Sequence, residues 1–121
     1  MRFMFSSCGS LTNLDLRSFD TSNVTSMDNM FQSSSKLTSL DLSSFKTGKV
    51  TNMEWMFSAC RSLTHLDLSN FDFTNVTSYD RMFVDVPDNC EILVKDEAAK
   101  TWIIRNCPEI VNFDRIIIKG K

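Results

Sequence analysis

The sequence predicts a solenoid of stacked short β-strands, closed at its C-terminal end by a strand-helix-strand cap. Three observations carry this reading. Met-Phe recurs at 4–5, 30–31, 56–57 and 82–83, a step of 26 residues each time. Between those marks the apolar positions agree column by column in three copies. After Val84 the pattern stops, and a segment with its own helix-start and helix-stop signals follows.

The copies run over 4–29, 30–55 and 56–81, with the start of a fourth at Met82. This divides the chain into a repeat solenoid, 1–83, and a cap, 84–121. Leu11, Leu37 and Leu63 correspond, as do Leu14, Leu40 and Leu66, and then Leu16, Leu42 and Leu68. Phe19, Phe45 and Phe71 form another column, Val24, Val50 and Val76 the next, and Met27 and Met53 are followed by Tyr79. LxxLxL read as a strand puts Leu14 and Leu16 on one face and Asp15 on the other, because side chains alternate along a strand. A lone strand cannot hide its apolar face, but copies stacked about 4.8 Å apart can. A 26-residue period with this core lies within the roughly 20–29 residues of leucine-rich repeats, so the predicted class is a leucine-rich-repeat solenoid.

The remaining elements of each repeat follow in order. DTSN at 20–23, with KTGK and DFTN as counterparts, reads as a turn. Val24–Met27 reads as a short second strand. Met30-Phe31 and the polar residues after it read as a tight helical or 3-10 turn. Phe19, Phe45 and Phe71 stand where the general repeat pattern expects Asn or Cys. A Phe spine therefore replaces the usual Asn ladder, and the Asp/Thr/Ser/Asn turn supplies the hydrogen bonds.

In the cap, EILVK (91–95) reads as a strand and Asp96 as the N-cap of a helix over 97–106. Ala99, Trp102, Ile103 and Asn106 share one face of that helix, so Trp102 and Ile103 are expected to seal the last repeat. Pro108 ends the helix. RIIIK (115–119) reads as a final strand with flanking charges that discourage edge pairing. The N-terminal side carries no such device, since the chain enters the repeat directly at Met4-Phe5. An unsealed first repeat predicts either a longer array or self-association through that edge.

LTSLDLSSF, then a T-x-x-V-T turn, MF and a Cys-containing loop resemble the BspA-like leucine-rich-repeat surface proteins of bacteria. The similarity covers residues 4–83, and the tail ILVKDEAAKTWIIRNCP resembles the strand-plus-helix segment that ends such arrays. The resemblance implies a cell-surface or secreted protein that makes adhesive or protein-protein contacts. It offers no catalytic residues to carry over. MRFMFSSCGS itself has no signal-peptide pattern.

Composition excludes some classes. A net charge of −2 gives no electrostatic case for nucleic acid, and no apolar run approaches the roughly 20 residues of a membrane helix. No cofactor or metal motif is found, and no Ser/His/Asp set, paired carboxylates or phosphate loop argue for an enzyme. His65, the only histidine, occupies a variable outward column and reads as a solvent-facing residue rather than a base or ligand. Asp15, Asp41 and Asp67 stack one repeat apart and need compensation, from Thr or Ser donors or Arg17, or else from a divalent cation. Cys8 and Cys60 share a column two repeats apart, about 10 Å, too far to bridge, and read as buried thiols. Cys90 and Cys107 read either as a disulfide or as unpaired core thiols. Asn23-Val-Thr and Asn75-Val-Thr match the glycosylation sequon but sit in the repeat consensus, where the Asn serves the turn.

The outward strand columns are the candidate partner-binding face: Asn13, Asp15 and Arg17, then Ser39, Asp41 and Ser43, then His65, Asp67 and Ser69. Their polar, mildly acidic character suits a protein or glycan ligand. The competing expectation is a structural spacer or stalk. The variable columns Asn13/Ser39/His65 and Arg17/Ser43/Ser69 favour a contact surface, since a spacer would keep them uniform.

Overall fold

The structure, a computed structural model, describes residues 4–6 and 14–119. Strands β1 (Ser39–Asp41), β2 (His65–Leu68), β3 (Glu91–Val94) and β4 (Ile116–Ile118) form a four-stranded parallel sheet in the order β1-β2-β3-β4. One helix, α1 (Glu97–Asn106), lies between β3 and β4, with a 3-10 turn at Phe113–Arg115 after it. Turns make up most of the rest.

Register follows the sequence period. Leu40 pairs with Leu66 and Leu66 with Ile92, a 26-residue offset at each step. Thus β3 continues the ladder although its segment has lost the repeat consensus. Only the last step shortens, to 24 residues, where Ile92 pairs with Ile116. Leu40, Leu66, Ile92 and Ile116 are all buried, because one sheet face packs onto the core. Leu16 is buried too; Leu11–Asn13 lie outside the described residues, among which the first strand of the sheet is Ser39–Asp41.

The expected second strand is a weaker feature: single parallel bridges join Ser26 to Asn52 and Asn52 to Ser78. The segments after it are not 3-10 helices, and the backbone bonds explain why. The amides of Met30, Gln32 and Ser34 close turns onto the carbonyls three residues back. The alternate amides of Asn29, Phe31 and Ser33 instead donate to Glu54, Met56 and Ser58 of the next repeat, at 2.8–2.9 Å. A 3-10 helix needs consecutive internal bonds, and here every second donor is committed to the neighbouring repeat. The next repeat does the same, from Trp55, Phe57 and Ala59 to Asp80, Met82 and Val84. Residues flanking each Met-Phe turn take the left-handed region: Asn29 and Ser33, Trp55 and Ala59, Arg81 and Asp85, with φ between 55° and 64°. Each costs a non-glycine residue roughly 1–2 kcal/mol, which the two sets of hydrogen bonds offset.

The core is one cluster running through all repeats into the cap. Its closely stacked aromatic ladder is the Met-Phe column. Phe5, Phe31, Phe57 and Phe83 stack at centroid distances of 5.6, 5.8 and 5.6 Å. Phe45 and Phe71 are buried in the same cluster, while Phe19 is half-buried and tilts against Phe5. Ser34 donates its hydroxyl to the Phe5 carbonyl, and Cys60, one repeat on, donates its thiol to the Phe31 carbonyl. Burial pushes the Cys60 thiol up to about 12 and the Cys90 thiol to about 11. Cys60, Cys90 and Cys107 are all buried and free, so the Cys90–Cys107 disulfide does not form. Cys8 lies outside the described residues.

Cap and repeats meet through a change of chemistry at one column. Thr21 and Thr47 each bond the next repeat twice. The Thr47 hydroxyl donates to the Asp72 carbonyl at 3.0 Å and accepts from the Asp72 amide at 2.8 Å, and Thr21 does the same with Lys46. The third repeat has Phe73 in that column. Its ring stacks on Trp102 of α1 at 4.3 Å and 6°, and Tyr79 meets the same indole edge-on at 5.2 Å. Asp96 caps α1 by accepting from the Ala99 amide at 3.0 Å, and Ala99 and Ile103 bury the inner face. On the other flank the Phe83 amide, whose equivalents donate to the next repeat, donates to the Glu109 carboxylate at 2.9 Å. A side chain thus takes the place of the missing backbone carbonyl. Arg115 is buried and donates to the Pro87 carbonyl, tying β4 to the turn before β3, so it does not guard the sheet edge as its charge suggested. Lys119, exposed beyond β4, is positioned for that role.

Candidate functional site

Strand alternation turns Ser39 and Asp41, His65 and Asp67, and Glu91 and Leu93 away from the core. With Ile117 they line a shallow concavity of about 430 Å³ on the outward sheet face. Four of the expected face residues, Ser39, Asp41, His65 and Asp67, are therefore brought together on adjacent strands. Asn13 lies outside the described residues. Arg17, Ser43 and Ser69 sit past the strand level in turns, where alternation no longer holds. Arg17 remains exposed and Ser43 is half-buried, but Ser69 is 5% exposed and is not part of an accessible face.

The stacked aspartates are held by donors from those same turns. Asp41 accepts from the Ser43 amide at 2.9 Å and its hydroxyl at 2.6 Å, and Asp67 accepts from the Ser69 amide at 2.9 Å. Asp15 takes Arg17 in a two-point pair at 2.9 Å on each oxygen. The Arg17 side chain holds the Asp15 carboxyl down at about 2, and the Ser43 hydroxyl lowers that of Asp41. Ser22 and Thr74 do the same for Asp20 and Asp72 in the second turn of their repeats. Each group is depressed in the fold, so its stabilisation is fully present above the ordinary value of 3.8 and is lost as pH falls through its own lowered value, which for Asp15 is about 2. The thermal midpoint is expected to drop across that window, modestly because the groups are exposed. Asp41→Asn should flatten the drop; an unchanged acid limb would refute this assignment.

His65 bonds Thr64 through Nδ1 at 3.0 Å and lies 3.9 Å from Glu91 through Nε2, with both partners exposed. Among the described residues no group of three or more His, Cys, Asp or Glu side chains could hold a metal ion. No described helix is long and apolar enough to cross a membrane.

Glu91, Leu93 and Ile117 belong to this face and were absent from the sequence-based set. The signal was available for the first two: extending the 26-residue step past Leu66 lands on Ile92, which fixes Glu91 and Leu93 as outward. Ile117 follows a 24-residue step and had no such marker.

A family model described as Mycoplasma protein of unknown function, DUF285, matches residues 1–102. No curated protein matches the chain, and no solved structure matches it.

Proposed function

The chain belongs to the DUF285 family, and we propose that it is a non-catalytic leucine-rich-repeat solenoid whose outward sheet face docks a protein partner at a bacterial cell surface. The concavity across β1–β4 carries the reading: it gathers ionic, hydrogen-bonding and half-buried aliphatic side chains on one face of a parallel sheet. Such a mixture suits recognition, in which apolar contact supplies affinity and charges set specificity. Constant 26-residue registers and the three-step Phe stack support the solenoid architecture. The similarity of residues 4–83 to BspA-like repeats supports a surface location.

Site-directed photo-crosslinking on intact cells tests this reading. A photoreactive side chain at position 65, in the concavity, is expected to trap a discrete protein adduct. The same group at position 100, on α1, is expected not to. Equal labelling from both positions, or no adduct from position 65, would refute it.

A further inference from the structure

Resting on the docking face just proposed, we infer that its partner presents a basic and a branched aliphatic side chain three residues apart on a polyproline-II segment that crosses the strands. The register defines a single row: Asp41 pairs with Asp67, Asp67 with Leu93, and Leu93 with Ile117. All four residues line the same concavity. The row therefore changes character halfway, from two carboxylates to two aliphatics. Carboxylates alone would make a solvated acidic stripe. Here the column that holds Asp in all three repeats becomes Leu93 on β3, and Ile117 beside it extends apolar surface on a side of the sheet that faces solvent.

The charges on this face leave a defined complement. Arg17 is paired with Asp15 and, like Lys119, also acts electrostatically on Asp41, so Asp67 carries the less compensated charge of the row; His65 lies beside Glu91 in the adjacent row. Asp41 and Asp67 are held by amide and hydroxyl donors, which leave their negative charge in place. A cation satisfies that half of the row and an aliphatic group the other half. The midpoints of the two halves are two strand spacings apart, about 10 Å. An extended β-segment cannot match this, since its third-neighbour side chains point to opposite faces. A polyproline-II helix repeats every three residues with about 3.1 Å rise, so third neighbours share a face at about 9 Å.

The blocked hexapeptides Gly-Lys-Pro-Pro-Ile-Gly and Gly-Ile-Pro-Pro-Lys-Gly, titrated against the full chain, test the inference for both directions. Methyl resonances of Leu93 and Ile117 report the apolar half. At least one peptide is expected to shift both methyl sets saturably. Asp67→Asn should weaken it about five-fold, the scale of one half-exposed ion pair. Leu93→Thr should weaken it similarly, with Ile117→Thr as a second variant on the same half. Peptides with Lys and Ile adjacent should bind about five-fold more weakly. Spermidine binding as well as the peptides, insensitivity to Leu93→Thr, preference for a helical peptide with seven-residue spacing, or no methyl shift would each overturn it. If the peptides fail while position 65 still crosslinks a partner, the segment chemistry is wrong and the docking face stands. If both fail, the face itself is wrong.

Discussion

Phe57→Ala is expected to destabilise the chain by about 4 kcal/mol, at the upper end of what removing one ring from the repeats should cost. Phe57 is fully buried and stacked on both sides, at 5.8 Å from Phe31 and 5.6 Å from Phe83. Its removal leaves a cavity in the middle of the ladder and severs two ring contacts, each worth about 0.5–1.5 kcal/mol beyond burial. The backbone around it has little freedom to collapse. Its amide donates to Met82, its carbonyl accepts from Cys60, and Trp55 and Ala59 on either side hold left-handed geometry. Against a total stability on the order of 5–15 kcal/mol, such a loss moves the denaturation midpoint close to unfolding conditions. Phe113→Ala is the control, because Phe113 is 44% exposed and its loss should cost under about 1 kcal/mol. Similar midpoint shifts in urea for the two variants would sink the assignment of the ladder as the spine.

Trp102→Ala comes second, at roughly 2–3 kcal/mol, less than for a fully buried indole because Trp102 keeps some exposure. Its effect should be local in a diagnostic way. The indole is the hinge pin between α1 and the third repeat, through Phe73 and Tyr79. Amides of 97–106 are expected to exchange earlier in denaturant than those of 65–68 in the variant, and together with them in the wild type. Phe73→Thr restores the residue type of the two preceding repeats, but its hydroxyl would find a helix instead of a following turn. It should cost a similar amount. The double variant should cost less than the sum, by the stacking energy of about 0.5–1.5 kcal/mol. Strict additivity would mean that the two rings do not act as a pair.

Much of the framework was legible in the sequence because the period is a geometric constraint. Leu40, Leu66, Asp41 and Asp67 had to fall in columns once the step was known, and the pairing of β1 with β2 follows it residue for residue. Asp96, α1 and its buried Ala99 and Ile103 were equally readable, since capping and helical periodicity are local. The turns after Met27 were not. Whether an amide closes its own turn or reaches the next repeat depends on a neighbour that periodicity places but does not orient. Left-handed Trp55 and Arg81 carry no compositional sign of their conformation. Ser69 was misplaced because alternation ends with the strand. Leu93 was missed because its column changed chemistry, from Asp to Leu, at the point where the consensus fails. Phe73 is itself a signal in the sequence: a large ring in a column of small hydroxyls marks the place where the next layer is no longer a repeat.

The paired bonds of Thr21 and Thr47 have an evolutionary corollary. Each repeat meets its successor through the same hydroxyl, the same alternate amides and the same ring-on-ring contact. Unequal recombination that duplicates or drops one whole unit therefore recreates every junction it disturbs, while the terminal unit, marked by Phe73, stays matched to its lid. Lineages could lengthen or shorten the molecule in discrete increments without redesigning the cap.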